Sequence, residues 1–159
     1  MENVYKAYYE SEPGLIEITA GEKGIISLCF TKKKSSFSSD SKRFPVHLKE
    51  CIRQLDEYFK GNRKKFDLSL TLSGTDFQMK VWNELKKIPF GKTASYKDIA
   101  LKSGNVKAVR AVGNANSKNK IAVIIPCHRV IGSDGKLSGY AGGVKRKKWL
   151  LEHESDYFK

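Results

Sequence analysis

The chain has 159 residues, 40% hydrophobic and 30% charged, with 30 Lys and Arg against 17 Asp and Glu for a formal charge of +13. This is enough apolar residue to bury a core in one domain or two small ones, which excludes a disordered chain. No apolar run approaches the roughly 20 residues of a membrane span. The positive field favours a polyanion, nucleic acid before an anionic membrane surface, although a lysine-rich surface also serves plain solubility.

The opening residues, Met1-Glu2-Asn3-Val4-Tyr5-Lys6, lack the basic-then-apolar layout of a secretion signal, so a cytoplasmic protein is expected, or a nuclear one if the source cell has a nucleus. Residues 15–30 read as a hairpin. Ile16, Ile18 and Ala20 alternate with polar neighbours, Gly21-Glu22-Lys23-Gly24 supplies the turn, and Ile26, Leu28 and Phe30 alternate again. Cys29 is out of phase with that set and is expected on the other face of a covered sheet. Residues 32–43 form a polar loop rich in Ser and Lys. A helix follows with Leu48, Ile52, Leu55 and Phe59 as its apolar stripe and Gly61 closing it, and Cys51 lies one residue from the stripe. Phe66, Leu68, Leu70 and Leu72 alternate like a further strand. Ser73-Gly74-Thr75 breaks the pattern, which puts the domain boundary between residues 1–73, a small α/β scaffold, and residues 74–159.

The second half is helical. Phe77, Val81, Trp82, Leu85 and Ile88 recur at helical spacing, with Thr75 or Asp76 as N-cap and Pro89 as the stop. Ser95-Tyr96-Lys97-Asp98 resembles a capping box opening a short helix through Ile99, Ala100 and Leu101. Ser103-Gly104-Asn105 breaks the chain, and a third helix spans residues 106–117, so that a helix-turn-helix results. Ala108, Ala111, Val112, Gly113 and Ala115 keep this helix slim, which suits tight helix packing or close approach to a partner. Lys107, Arg110, Asn114 and Asn116 supply polar contacts.

Residues 121–125 form a continuous apolar run, read as a buried strand or extended segment, that ends at Pro126-Cys127-His128-Arg129-Val130. Pro126 fixes the backbone before the thiol. Cys29, Cys51 and Cys127 are odd in number and widely spaced, so they make neither a disulfide framework nor a zinc knuckle, and at most one is a functional thiol. A thiol near pKa 8.5 needs a base or a positive neighbourhood to react at pH 7. His128 is the candidate base, directly or through water, Arg129 adds positive charge, and Asp134, Glu152 or Glu154 can orient the imidazole. Alone, such a Cys-His pair is more often structural than catalytic.

Pro126-Cys127-His128-Arg129-Val130, Gly139-Tyr140-Ala141-Gly142-Gly143 and Lys148-Trp149-Leu150-Leu151-Glu152-His153-Glu154 together resemble the O6-alkylguanine-DNA alkyltransferases. So do Gly74-Thr75-Asp76-Phe77-Gln78, Phe90-Gly91-Lys92 with Ser95-Tyr96, and Arg110-Ala111-Val112-Gly113, in order over residues 74–154. The resemblance implies an α/β protein with a small ribonuclease H-like N-terminal domain and a mostly helical C-terminal domain carrying a winged-helix-like helix-turn-helix. It implies direct reversal of damage, with an alkyl group moving irreversibly from O6 of guanine, and from O4 of alkylthymine, to the protein's own cysteine, once per molecule and without cofactor or metal. Carried over residue by residue, Cys127 is the acceptor, His128 the base through a bridging water, and Glu154 the end of the relay. Asn119 braces the cysteine turn, and Tyr96 offers a phenol to the leaving guanine. Arg110 fills the gap left by the flipped nucleotide, with Ala111, Tyr96, Lys107, Asn114 and Asn116 also facing DNA in the minor groove. Val130, Tyr140 and Ala141 line the base pocket. The implied partner is double-stranded DNA carrying O6-alkylguanine, met by a monomer, with cooperative loading left open.

Three rivals remain at this point. A non-reactive binder of alkylated DNA would replace the cysteine, typically by tryptophan, yet Cys127 is present. A helix-turn-helix transcription factor with a redox cysteine would bind as a sequence-specific dimer. A cysteine hydrolase would turn over repeatedly and leaves the basic charge and Arg110 unexplained. Zinc in the first half has only Cys29, Cys51 and His47 to draw on, too few and too scattered. Ala141 and Ala122 stand where some family members carry serine and proline, which predicts a roomy pocket. Free O6-benzylguanine is therefore expected to inactivate the protein; full activity on methylated DNA after that treatment would refute a roomy pocket.

Overall fold

Alternating residues on either side of Gly21-Glu22-Lys23-Gly24 fold into a hairpin in the computed structural model, which describes residues 3–35, 40–137 and 139–155. β1 (Tyr5–Ser11), β2 (Gly14–Ala20) and β3 (Ile25–Thr31) form an antiparallel sheet in that order. β1 escapes the hydropathy reading because its inward side carries little apolar bulk: only Ala7 is fully buried. On β2, Ile16, Ile18 and Ala20 are buried as their alternation requires. β3 departs from expectation, since Ile25 and Leu28 are buried and Ile26 and Phe30 only half so. The cause is a bulge: Ala20 pairs with Ile25 and Thr19 with Ser27, so Ile26 is the extra residue and shifts the phase. Cys29 is exposed, which corrects the covered face expected for it.

The chain divides into two units, Met1–Leu72 and Ser73–Lys159. In the first, α1 (Val46–Phe59) packs against the sheet through Leu48, Cys51, Gln54, Leu55 and Tyr58, a stripe rotated from the one read in the sequence. Gln54 explains the rotation. Its amide donates to the Asp67 carbonyl at 3.0 Å and accepts from the Asp67 N–H at 2.9 Å, so a polar residue is buried at no loss of hydrogen bonding. The same clamp bears on residues 66–72, which are not the expected strand. They meet the sheet only at an isolated bridge between Leu70 and Ile25. Gly61, at φ 83, follows α1 in the left-handed conformation that glycine permits. Residues 36–39 of the predicted loop, and Met1 and Glu2, lie outside the described residues.

The second unit holds 17 of the 30 Lys and Arg and only 7 of the 17 Asp and Glu, so the positive charge is concentrated there. α2 (Asp76–Lys86) starts at a full capping box between Thr75 and Gln78. β4 (Ala94–Ser95) leads into α3 (Tyr96–Lys102), where Ser95 and Asp98 form the expected box. Gly104, at φ 97, makes the turn. The next helix, α4 (Val109–Ser117), starts three residues later than residue 106. Asn105 accounts for the delay: its side chain accepts from the Lys107 N–H at 2.9 Å and its carbonyl from the Ala108 N–H at 3.0 Å, which holds residues 105–108 in a turn. α2, α3 and α4 pack together around Val81, Leu85, Ile99 and Val112. β5 (Val130–Ile131) pairs in parallel with β4, and α5 (Val144–Ser155) closes the described chain. No described helix is long and apolar enough to cross a membrane.

Trp82 is 2% exposed, and its indole N–H donates to the Ala115 carbonyl at 2.9 Å, fixing α2 against the last turn of α4. Trp82→Phe removes that donor and leaves a gap, so denaturant unfolding should show a loss of about 1–3 kcal/mol with an unchanged m-value. A loss confined to a few tenths would mean that the bond contributes nothing to docking α4.

Candidate active site

The apolar run before the cysteine is not a strand. It closes on itself in tight turns, with the Ile125 N–H bonded to the Ile121 carbonyl at 3.1 Å and the Ile124 N–H to the Ala122 carbonyl at 2.7 Å. A continuous apolar stretch reports burial and not shape, and here the shape is set by a side chain. Asn119 accepts from the Ile121 N–H at 3.0 Å and donates to the Ile125 carbonyl at 2.9 Å, clipping both ends of the loop. The Cys127 N–H donates to the same Ile125 carbonyl at 2.8 Å, so the loop and the cysteine turn share one anchor. Pro126, at φ −81 and ψ 63, turns the chain once more, and Cys127, His128 and Arg129 form a single 3-10 turn. With three residues per turn, their side chains point in three different directions, and all three are buried.

Cys127 is 5% exposed. Burial pushes its thiol above the ordinary range, while the nearby Asn119 amide and the charge of Lys147 pull the other way. His128 turns toward α5, where its Nε2–H donates to Glu154 at 2.7 Å. That bond selects the tautomer and leaves Nδ1 as a bare lone pair, buried and without a hydrogen-bond partner among the described residues. Burial holds the imidazole below its ordinary pKa, against the pull of Glu154 toward the charged form, so His128 is a neutral base.

Arg129 does not lend its charge to the thiol as the sequence suggested. Its Nε and Nη2 grip the two oxygens of Glu154 at 2.7 and 3.0 Å, and Nη1 donates to the Ile88 carbonyl at 2.7 Å. Glu154, 1% exposed, stays ionised far below the usual carboxylate range: burial opposes this, and His128 and Arg129 overcome it. Of the other acids considered, Asp134 accepts from the Lys136 N–H, and Glu152 is exposed beside Lys148.

The remaining predicted residues divide between two surroundings. Val130 is fully buried, and Tyr140 is 8% exposed with its hydroxyl unpartnered among the described residues; Ala141 is exposed. Tyr96 is half-buried. The parallel pairing of Ser95 with Ile131 sets it alongside the strand that leaves the cysteine turn, and Gly139 lies so close that an added Cβ would be 3.1 Å from its hydroxyl. On the helix-turn-helix, Lys107, Arg110, Ala111 and Asn114 are exposed. Asn116 is not: it is 2% exposed, and its amide donates to the Cys127 carbonyl at 3.4 Å, so it belongs to the thiol's surroundings and not to the outer face. The sequence reading overlooked Lys147. It is fully buried with its Nζ 5.7 Å from the centre of the Tyr96 ring, and it shares the inner face of α5 with Leu150 and Glu154 at helical spacing. The spacing was visible, but a lysine in an apolar stripe is discounted by any hydropathy reading.

The described residues contain no group of three or more His, Cys, Asp or Glu placed to hold a metal ion. The arrangement is that of a buried nucleophile beside a neutral base oriented by an ionised carboxylate, in the same unit as a helix that exposes Arg110, Ala111 and Asn114.

Residues 4–72 match the family described as 6-O-methylguanine DNA methyltransferase, ribonuclease-like domain, and residues 76–156 match 6-O-methylguanine DNA methyltransferase, DNA binding domain. The chain is 47% identical over 158 residues to a methylated-DNA–protein-cysteine methyltransferase of Methanosarcina barkeri, covering 96% of this chain and 98% of that one. Its fold is similar to the crystal structure of the Mycobacterium tuberculosis O6-methylguanine methyltransferase, at 40% identity and a TM-score of 0.85 over 97% of this chain and 94% of that one. A crystal structure of the Mycobacterium tuberculosis OGT in complex with DNA matches at 41% identity and a TM-score of 0.86, over 96% and 93% of the two chains.

His128 and Glu154 both give the site an acid limit. Each has a folded-state pKa below its unfolded one, so the unfolded chain takes up protons first as pH falls. Stability is complete above the ordinary imidazole pKa of about 6.5, declines below it, and declines again below about 4.3. The melting temperature should therefore hold from about pH 8 to 7 and drop toward about pH 5, with His128→Gln flattening that first drop. An identical profile in the variant would acquit His128.

Proposed function

The chain belongs to the 6-O-methylguanine DNA methyltransferase family, and from that membership we propose that Cys127 takes the alkyl group from O6-alkylguanine in duplex DNA. The protein is a methylated-DNA–protein-cysteine methyltransferase that repairs DNA by direct reversal. The observation that carries the choice of residues is the relay itself: a buried thiol adjoining a histidine whose Nε2–H is committed to Glu154 and whose Nδ1 is free to accept a proton.

In the proposed sequence, Arg110 and the slim exposed face of α4 enter the minor groove, and the damaged nucleotide leaves the stack at a cost of a few kcal/mol. Arg110 offsets part of that cost by stacking and by pairing with phosphate. Lys107, Ala111 and Asn114 share this face. The base enters between Val130, Tyr140 and the backbone at Ala141. The thiol proton passes through a bridging water to Nδ1 of His128, and Glu154 stabilises the imidazolium. The thiolate attacks the alkyl carbon, the carbon–O6 bond breaks, and its electron pair leaves on guanine, which the phenol of Tyr96 helps to protonate. Asn119 holds the loop throughout. The thioether product is not hydrolysed, so each molecule, acting as a monomer, reacts once.

Incubation with a duplex carrying one O6-methylguanine should add one methyl mass, located on Cys127 by digestion and saturating at one equivalent. Tight binding of the damaged duplex without mass gain would replace transfer by damage recognition. Arg110→Ala should slow transfer from the duplex by roughly tenfold or more, with a much smaller loss toward free O6-benzylguanine, which needs no flipping. Equal losses on both substrates would remove Arg110 from the flipping step.

A further inference from the structure

Val123 is the one described residue other than glycine with a positive φ, at 69°, and it is β-branched, the kind of side chain least suited to that conformation. The Ala122 carbonyl and Ile124 N–H on either side of it are bonded at 2.7 Å, which makes it the centre of a γ-turn of the rarer, strained hand. Its side chain is 1% exposed, between Ile121 and Ile125, which are fully buried. The isopropyl group is thus an anchor that holds the backbone against its own torsional preference. The consequence lies four residues on. Only with the chain reversed at Val123 does the Ile125 carbonyl come to 2.9 Å from the Asn119 amide, and the same carbonyl accepts from the Cys127 N–H at 2.8 Å.

We propose that Val123 is a positioning residue, whose left-handed turn brings the Ile125 carbonyl to both the Asn119 amide and the Cys127 N–H and so fixes the thiol in the geometry that reacts. Strain concentrated beside a reacting group is a recurrent way of fixing it in advance, since a loop with a relaxed alternative would spend part of its time there. This deepens the reading of Cys127 as the alkyl acceptor and rests on it.

Two variants separate a turn from mere packing. Val123→Gly and Val123→Ala both lose the anchor, but glycine accepts φ 69 freely and alanine does not. A packing role alone favours alanine, which keeps a methyl group and a stiffer chain. A turn role favours glycine, by about tenfold in the population of the reactive loop. The transfer rate at saturating O6-methylguanine duplex is therefore expected to be about tenfold higher in Val123→Gly than in Val123→Ala, with matching duplex affinities. Both are assayed in a stabilising osmolyte, with melting curves to establish that each is folded at the assay temperature. Alkylation of Cys127 by iodoacetamide, which involves no DNA, should follow the same order. Alanine equal to or faster than glycine in both assays overturns the proposal. If wild-type protein takes no methyl group from the duplex, the acceptor reading fails, and the iodoacetamide order still decides the turn.

Discussion

The carboxylate of Glu154 is the constraint on which the site depends. It is a buried charge, and such a charge survives only if it is neutralised and hydrogen-bonded on all sides. Arg129 supplies the opposite charge in a two-pronged grip, His128 supplies a third donor, and the Gly91 N–H a fourth at 3.4 Å. Because Arg129 already balances Glu154, His128 does not have to be protonated to keep the pair stable. That is what allows it to remain a base in a buried place. The carboxylate thereby ties the cysteine turn to α5 and to the loop after α2, three stretches far apart in sequence.

Much of the framework could be read before the structure was seen. The capping box at Ser95 announces itself because both halves lie within four residues, and a local bond needs only local information. Elements that depend on a distant partner were misread. The stretch at residues 66–72 alternates like a strand, but Gln54, on another element, takes up the backbone N–H and carbonyl of Asp67, and only the bonds of Ser69 and Thr71 to Ile25 are strand-like. The phase error in β3 has the same origin, since a bulge is a property of a pair and not of one strand.

The chemistry was legible as residue types and not as directions. Cys127 and His128 stood out as neighbours, and the family likeness supplied Glu154, yet nothing local says that Arg129 turns away from the thiol or that Asn116 turns inward. In a 3-10 turn and on the inner face of a short helix, one residue of rotation exchanges solvent for core. Lys147 was missed for the opposite reason: it lies where a hydropathy reading expects only apolar side chains.

A protein that reacts once must stay usable until it meets its substrate. Oxidants and stray electrophiles consume thiolates much faster than thiols, and accessible ones first. Cys127 rests 5% exposed, with burial favouring its protonated form. The same enclosure that makes the thiol difficult to ionise therefore gives the idle molecule a longer shelf life, slowing its loss to peroxide and soluble alkylating agents. Full reactivity is released by a partner able to place carbon at the sulfur and take up the charge that leaves.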